Sequence, residues 1–263
     1  MEFTKMQGAG NDYIFLDCLE GMPEDPAALA RRLSRRHFGV GGDGLICLCP
    51  GEGTDFSMRM FNADGSQGEM CGNGIRCLAK LAWDRRLTEK TELTIATPAG
   101  VRRVKLLFDR GQVAGARVAM GVPRVGEPAA VAVQGKDCTV TPVSMGNPHL
   151  VVKCSRLDKL DLAALGPELG GPPRFPQGAN VEFARILAPD LLEMRVWERG
   201  SGETLACGTG ACAAAAAFMS AGKLGRRARV RLPGGELEAA WPPGEEMYLS
   251  GPAVTVYRGE LFP

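Results

Sequence analysis

Two cysteines stand where a thiol could exchange a proton with a bound substrate: Cys71 in GEMCGNGIRCLAKLAW and Cys207 in LACGTGACAAAAAFMSAGK. Each precedes Gly-x-Gly and a run of small or apolar residues, which predicts a tight turn that opens a helix. The unpaired amides of a first helical turn, together with the helix dipole, form an anion site. A cysteine at a helix N-terminus has a lowered pKa, so we expect a thiolate to be accessible near neutral pH.

The two cysteines belong to an internal repeat. Cys207 follows Cys71 at the same separation along the chain as Asn147 follows Asn11. The same offset places Arg59, Phe61 and Asn62 on Arg195, Trp197 and Glu198, Gly72 and Gly74 on Gly208 and Gly210, and Gly44 on Asn180. This agreement without gaps predicts two copies of one fold, joined near residues 116–125. If the copies face each other about a pseudo-twofold axis, the two cysteines lie on opposite sides of one cleft.

Two opposed cysteines are suited to inverting a carbon acid. Two neighbouring thiols do not ionise together easily, so we expect one thiolate and one thiol at rest. One takes a proton from one face of the carbon while the other delivers a proton to the opposite face. Backbone amides that hold the adjacent carboxylate would stabilise the charge that develops. The amides expected to do so belong to Gly72, Asn73, Gly208 and Thr209.

The composition limits the classes of function. A formal charge of +1 over 263 residues argues against binding driven by phosphate groups or by a membrane surface. The first residues lack a signal-peptide pattern and no apolar stretch approaches the roughly 20 residues that span a bilayer, so we expect a cytoplasmic protein. The nine cysteines include no paired C-x-x-C, which favours buried thiols over a metal site. Neither a dinucleotide fingerprint nor a lysine in a cofactor motif is present, so no cofactor is expected.

The pattern of elements supports two similar halves. Asp25 and Pro26 predict the start of a helix that runs to Arg36, and the helix opened by Cys71 is expected to end near Arg86. Between Thr91 and Met120 the alternation predicts an antiparallel meander. The Pro- and Gly-rich segment GVPRVGEPAA is the predicted domain boundary, and the order of elements begins again after it.

Several long motifs resemble one family. GAGNDYIFLD, FNADGSQGEMCGNGIRC, MGNPH, GANVEF and ERGSGETLACGTGACAAA resemble diaminopimelate epimerases, cofactor-independent enzymes that interconvert LL- and meso-2,6-diaminopimelate for lysine and peptidoglycan-precursor synthesis. The resemblance implies an α+β fold of two pseudo-symmetric domains, each a mainly antiparallel sheet wrapped around a central helix. It implies domains at residues 1–116 and 117–251, with a last strand, residues 252–263, returning to the first. It also implies a homodimer with Tyr257 near the contact.

The resemblance carries roles onto particular residues. Cys71 and Cys207 become the two-base pair, and His149 and Glu198 become residues that tune the cysteine pKa values. The implied substrate contacts are Asn11, Asn62, Asn147, Asn180, Glu198 and Arg199. An arginine with asparagines suits the carboxylate of a second amino acid head, and a glutamate suits its ammonium. Some members carry glutamine where this chain has Gly44, so that side-chain contact is absent here.

Three other functions remain open at the level of the sequence. Proline or hydroxyproline racemases also use two cysteines, but they tend to carry histidine where this chain has Asn73. A non-catalytic amino acid binding protein would keep the cleft without turnover. A thiol redox protein would cycle through a Cys71–Cys207 disulfide, which for an epimerase is only an inactive by-product.

Overall fold

The structure, a computed structural model, describes residues 1–134 and 136–262. The chain forms two compact units, one of Met1–Ala119 with Ser250–Pro263 and the other of Met120–Leu249. Sequence reasoning places the corresponding divisions after residues 116 and 251. Gly135 of the predicted second domain and Pro263 of the predicted returning strand lie outside the described residues.

The first unit contains two helices and most of its strands in the first half of the chain. Its elements are β1 (Glu2–Gly8), β2 (Asn11–Asp17), α1 (Pro26–Ser34), β3 (Gly44–Pro50), β4 (Phe56–Asn62), β5 (Gln67–Gly68), α2 (Gly72–Asp84), β6 (Glu92–Ala96), β7 (Arg102–Asp109), β8 (Gln112–Gly121) and β19 (Val254–Glu260). Strand β8 ends two residues beyond the division after Ala119.

The sheet of the first unit is mainly antiparallel. Strand β1 pairs antiparallel with both β2 and β19, so the last strand of the chain lies in the sheet of the first unit. Antiparallel pairs also join β3 to β4 and run through β6, β7 and β8, which confirms the predicted meander. Two pairs are parallel, β2 with β3 and β4 with β6. The sheet packs around α2, which contacts β1, β2, β3 and β7.

The second unit repeats this arrangement. Its elements are β9 (Arg124–Val125), β10 (Ala129–Val133), β11 (Lys136–Ser144), β12 (Pro148–Lys153), α3 (Leu162–Gly170), β13 (Asn180–Ala188), β14 (Leu191–Glu198), β15 (Gly202–Thr204), α4 (Gly208–Ser220), β16 (Arg227–Leu232), β17 (Gly235–Ala240) and β18 (Met247–Pro252). The second half of β18, from Ser250, belongs to the first unit. Helix α4 is the central helix, and apart from Thr209 and Ser220 all its residues are buried. A helix that is apolar on every side is expected to lie inside a domain.

The offset between the two cysteines reappears in the structure. Helices α3 and α4 begin and end at that same offset from α1 and α2. Strand β12 pairs parallel with β13 in the register His149↔Asn180, and β2 pairs parallel with β3 in the equivalent register Tyr13↔Gly44. The two-domain, pseudo-symmetric α+β fold that the sequence predicts is therefore confirmed.

The two outer helices share a start signal. Asp25 caps α1 by accepting a hydrogen bond from Ala28 N–H, and Asp161 caps α3 by accepting one from Ala164 N–H. Helix α1 ends at Ser34 rather than at Arg36, because Arg35 already adopts an extended conformation. His37 follows in the left-handed region, with φ of 74°, which turns the chain toward β3. Within the described residues, no helix combines the length and the apolar character needed to cross a bilayer.

Candidate active site

Each candidate cysteine caps the helix that follows it. Cys71 and Cys207 both adopt extended backbone conformations immediately before α2 and α4. The Sγ of Cys71 accepts a hydrogen bond from Gly74 N–H at 3.2 Å, and the Sγ of Cys207 accepts one from Gly210 N–H at 3.4 Å. Each sulfur thus takes the place of the usual side-chain oxygen of an N-cap, with its lone pairs toward the positive end of the helix.

The first amides of both helices point out of the N-terminus. The first intrahelical bond of α2 is donated by Ile75 to the Cys71 carbonyl, and that of α4 by Ala211 to the Cys207 carbonyl. The predicted carboxylate-binding amides, those of Gly72, Asn73, Gly208 and Thr209, come before these bonds. Each unit therefore presents a thiol beside an anion-binding helix end.

In the first unit, Asn11 lies against the thiol of Cys71. The Cys71 thiol donates to Asn11 Oδ1 at 3.1 Å, and Asn73 Nδ2 donates to the same oxygen at 3.4 Å. The other end of the amide is fixed because Asn11 Nδ2 donates to Asp43 Oδ2 at 2.7 Å. A carboxylate oxygen can only accept, so Asp43 turns the carbonyl oxygen of Asn11 toward Cys71. Sequence reasoning predicted Asn11 and Asn73 but not Asp43.

A buried arginine supports the first turn of α2. Arg76 is fully buried and donates to the Gly72 carbonyl at 3.1 Å, to Asn73 Oδ1 at 2.8 Å and to the Pro252 carbonyl at 3.2 Å. These contacts hold the turn that follows Cys71 and set the orientation of the Asn73 amide. The sequence signal was available, because Arg76 interrupts the apolar face of a helix that must be buried.

Asn62 is the last residue of β4, and its side chain is held by a neighbouring serine. Its Nδ2 donates to Ser66 Oγ at 2.9 Å. Across the strand pair it lies opposite Gly44. A Cβ added at Gly44 would lie 2.2 Å from the Phe61 carbonyl oxygen and 3.0 Å from Tyr13 Cε1. Any side chain at this position, a glutamine included, would therefore press on the backbone of β4.

We expect Gly44→Ala to lower the free energy of unfolding by about 1–3 kcal/mol, because its methyl group would push against the backbone of β4. The matched control is Gly225→Ala, whose added Cβ would find its nearest neighbours at 3.8 and 3.9 Å. Urea unfolding of both variants measures the difference. Equal midpoints for Gly44→Ala and the control would contradict the close approach of Gly44 to the backbone of β4.

In the second unit, Cys207 is surrounded by acidic and hydroxyl groups. Its Sγ lies 3.5 Å from Thr209 Oγ1. The half-buried Glu198 hydrogen-bonds to Cys207, and its Oε1 also accepts a short hydrogen bond from Thr204 Oγ1. Burial raises the pKa of the Glu198 carboxyl. Glu198, to which the resemblance gives a role in tuning the cysteine pKa values, therefore lies beside Cys207.

The environment of Cys207 overturns one prediction. Burial raises the pKa of its thiol well above the ordinary value, and the negative charges of Glu198 and Glu182 raise it further. Thr209 and the Gly210 amide lower it, but by less. The helix N-terminus alone predicted a lowered pKa for this cysteine, and that prediction was wrong. Desolvation therefore outweighs the expected effect of the helix dipole and favours the protonated thiol of Cys207.

His149 is fully buried and joins this cluster through both ring nitrogens. Its Nδ1 lies 2.7 Å from Glu182 Oε1, and its Nε2 lies 3.0 Å from Asn147 Oδ1. The Asn147 amide in turn donates from Nδ2 to Thr209 Oγ1 at 3.5 Å. Sequence reasoning predicted His149, Asn147 and Thr209 but missed Glu182. A charged residue between Val181 and Phe183, in a strand whose first half is buried, was the signal that could have revealed it.

Asn180 and Arg199 lie together at the ends of β13 and β14. Asn180 is buried, and its Oδ1 accepts from the Arg199 backbone N–H at 2.9 Å. The guanidinium of Arg199 lies on the exposed side, where Nη1 donates to the Gln177 carbonyl at 3.5 Å. Asn180 therefore positions the residue that carries the cation, while the cation itself faces solvent.

The remaining cysteines lie away from these helix ends. Cys18, Cys47, Cys49, Cys77 and Cys212 are buried, and burial raises the pKa of Cys77 to about 12. Across the described residues, which include all nine cysteines, no disulfide is present. Among the same residues no group of three or more His, Cys, Asp or Glu side chains is arranged to hold a metal ion.

Comparison of the sequence with known proteins identifies the family of the chain. The sequence model of the family Diaminopimelate epimerase matches residues 3–125 and 141–256. Diaminopimelate epimerase of Pelotomaculum thermopropionicum is 46% identical, covering 99% of this chain and 98% of that protein. Diaminopimelate epimerase of Desulfovibrio desulfuricans is 44% identical, covering 100% and 98%. A phenazine biosynthesis protein of the PhzF family from Bacillus anthracis shares the fold, with a TM-score of 0.79, 17% identity and coverage of 100% and 99%.

Proposed function

Because the chain belongs to the diaminopimelate epimerase family, we propose that it interconverts LL- and meso-2,6-diaminopimelate by passing a proton through two cysteines, Cys71 and Cys207. The epimerisation, a step of lysine biosynthesis, follows from the family, and the assignment of residues is our proposal. The observation that carries it is the equivalent placement of the two thiols. Each caps a buried helix, at the same point of the repeat, beside a helix end that suits a carboxylate.

In the forward direction one cysteine removes the α-proton of the LL isomer, and the other delivers a proton to the opposite face of the same carbon. The electron pair left by the departing proton moves onto the α-carboxylate, which the first-turn amides hold. The residues assigned to that carboxylate are Gly72, Asn73, Gly208 and Thr209. In the reverse direction the two cysteines exchange roles, and the reaction needs no external electron acceptor because no redox change occurs.

The resting state that the contacts support has hydrogen on both sulfurs. The Cys71 thiol donates to Asn11 Oδ1, and the pKa of Cys207 is raised by burial and by Glu198. One thiol must therefore lose its proton when the substrate binds. The ammonium groups of diaminopimelate supply positive charge that offsets nearby carboxylates, which favours a thiolate. In this proposal the thiolate forms when the substrate binds.

The second amino acid head of the substrate is assigned to Arg199, Glu198 and the asparagines. Arg199 carries an exposed guanidinium suited to a carboxylate, and the Glu198 carboxylate is suited to an ammonium. The asparagines assigned to the substrate are Asn11, Asn62, Asn147 and Asn180. A substrate with one small ring, such as proline, has no group for Arg199 to bind, which favours diaminopimelate over proline.

Deuterium incorporation tests the reaction and its substrate together. Reduced protein in D₂O with LL-diaminopimelate is expected to form the meso isomer and to place one deuterium at an α-carbon, detected by NMR and mass spectrometry. L-Proline and trans-4-hydroxy-L-proline serve as controls and should exchange no α-proton. Exchange of proline without exchange of diaminopimelate would replace this proposal with a proline racemase.

We also propose that the enzyme works in the cytoplasm as a homodimer, with Tyr257 near the contact. Val254, Val256 and Tyr257 of β19 expose apolar surface, and Tyr257 stacks edge-on against Phe3 at 5.9 Å. Light scattering after size-exclusion chromatography should give twice the mass of 28.0 kDa, and Tyr257→Arg should shift it toward one chain. A monomeric native protein at micromolar concentration would exclude the dimer.

A further inference from the structure

Glu182 has no role in the proposed reaction, yet it is placed beside the helix that Cys207 caps. Its side chain and that of His149 are both fully buried. Glu182 Oε1 lies 2.7 Å from His149 Nδ1, while Oε2 has no hydrogen-bond partner among the described residues. A buried carboxylate costs free energy unless its charge and lone pairs are matched. This position therefore requires an explanation other than packing.

The first unit shows that the position can be filled by an apolar side chain. Ile46 is the counterpart of Glu182 in the repeat, at the equivalent point of β3. A Cβ on Gly74 would lie 2.4 Å from Ile46 Cδ1, and a Cβ on Gly210 would lie 2.7 Å from Glu182 Oε1. The two side chains thus fill the same space against equivalent helix ends. Isoleucine is sufficient for packing at this position, so the carboxylate in the second unit must have a role other than packing.

The hydrogen bonds of the second unit lead from Glu182 to the thiol. They run from Glu182 Oε1 to His149 Nδ1, from His149 Nε2 to Asn147 Oδ1 at 3.0 Å, from Asn147 Nδ2 to Thr209 Oγ1 at 3.5 Å, and from Thr209 Oγ1 to Cys207 Sγ at 3.5 Å.

The directions of these bonds follow from donor and acceptor chemistry. An amide oxygen only accepts, so His149 Nε2 must carry a hydrogen to meet Asn147 Oδ1. This holds whichever partner keeps the hydrogen that lies between Nδ1 and Glu182 Oε1. Asn147 then donates to Thr209 Oγ1, and the Thr209 hydroxyl hydrogen is left to point at Cys207 Sγ.

We propose that Glu182 is a positioning residue, which holds the His149 ring so that Asn147 and Thr209 direct a hydroxyl hydrogen at Cys207. The inference rests on the proposed role of Cys207, because a hydrogen bond to sulfur favours the thiolate that removes a substrate proton. Which nitrogen of a histidine carries hydrogen is set by the partner of the other nitrogen. Without Glu182 the Nδ1 side of the ring loses its partner, so the ring is no longer held with a hydrogen on Nε2. Asn147 can then reverse its amide and draw the Thr209 hydrogen away from Cys207.

The first test is spectroscopic and uses the native protein. The chain has two histidines, so labelling histidine with ¹⁵N gives signals from His37 and His149 only. His37→Asn identifies the His149 signals. We expect a hydrogen bound to His149 Nε2 in the native enzyme, and a mixture of ring tautomers in Glu182→Ile. A native His149 without hydrogen on Nε2 would overturn the proposal, whether or not the variant folds.

The second test is a double-mutant cycle on the epimerisation rate. Glu182→Ile copies the residue of the first unit and is expected to lower kcat by about 10- to 100-fold, with KM changed less than about twofold. Thr209→Val removes the hydroxyl group that contacts Cys207 Sγ. Both changes interrupt the same set of hydrogen bonds from Glu182 to Cys207. Glu182→Ile should therefore lower kcat much less when Thr209→Val is already present. The control Ile46→Val, at the equivalent position of the first unit, should keep kcat within about twofold of the native value.

The outcomes separate this inference from the proposed function. The role of Glu182 is overturned if Glu182→Ile lowers kcat by the same factor in the native protein and in Thr209→Val, or if Glu182→Ile alone keeps the native kcat. The two-cysteine reaction stands in either case. Failure of the native enzyme to exchange the α-proton of diaminopimelate overturns the proposed function itself, and the histidine spectrum is unaffected by that result.

Discussion

Replacing either Cys71 or Cys207 with alanine is expected to lower the epimerisation rate by at least about 10³-fold, since each variant lacks one of the two groups that move the proton. Alanine also removes the sulfur that accepts the Gly74 or Gly210 amide, so stability should fall by about 1 kcal/mol. Serine at either position restores a cap but is far too weak an acid. Cys71→Ser and Cys207→Ser should therefore regain stability without regaining turnover.

Two other cysteines provide matched controls. Cys77 and Cys212 lie in the same helices as the caps, at α2 and α4, and both are buried. Cys77→Ala and Cys212→Ala remove a thiol from each helix without touching its N-terminus, so turnover should stay within about twofold of the native enzyme. Circular dichroism and urea unfolding of all six variants separate folding from chemistry. Near-native turnover in either alanine variant of a capping cysteine would exclude the two-base reaction.

The sequence predicted most of the fold because the chain contains its architecture twice. Cys71 and Cys207 have the same separation along the chain as Asn11 and Asn147, and this identified a repeat. The structure reproduces the repeat in the first and last residues of all four helices. Two independent copies of one pattern reduce the ambiguity of each. A single Gly-rich turn, by contrast, would have indicated only one helix start.

What could not be predicted lies in contacts between elements that are distant in sequence. Glu182 meets His149 because β12 and β13 pair in parallel, and the register of that pair is set by packing rather than by a local motif. The pKa direction of Cys207 was mistaken for the same reason. A helix N-terminus is visible in the sequence, whereas the desolvation of the thiol and the charge of Glu182 that oppose it are properties of the folded chain.

Glu198→Gln is expected to separate the acidity of Cys207 from the activity of the enzyme. The negative charge of Glu198 is one cause of the raised pKa of Cys207. A neutral glutamine keeps an oxygen for the Thr204 hydroxyl but removes that charge, so the thiol pKa should fall. At any pH below the thiol pKa of the native enzyme, a larger fraction of Cys207 is then thiolate. Alkylation of Cys207 by iodoacetamide should therefore be faster, and the midpoint of its pH dependence should lie at lower pH. Cys71, followed in the same digest by mass spectrometry, is the internal control and should react as it does in the native protein.

The same substitution should nevertheless lower kcat/KM by about 10- to 100-fold, because a substrate ammonium loses a charged hydrogen-bond partner. Glu198→Gln should thus combine a more reactive Cys207 thiol with a slower epimerisation. Neither unfolding of the variant nor a less acidic Cys207 thiol would produce that combination. If alkylation of Cys207 moved instead to higher pH, the carboxylate of Glu198 would not be a cause of its raised pKa. If alkylation moved as expected but kcat/KM were unchanged, Glu198 would tune the cysteine without binding the substrate, and the second head of diaminopimelate would depend on Arg199 and the asparagines alone.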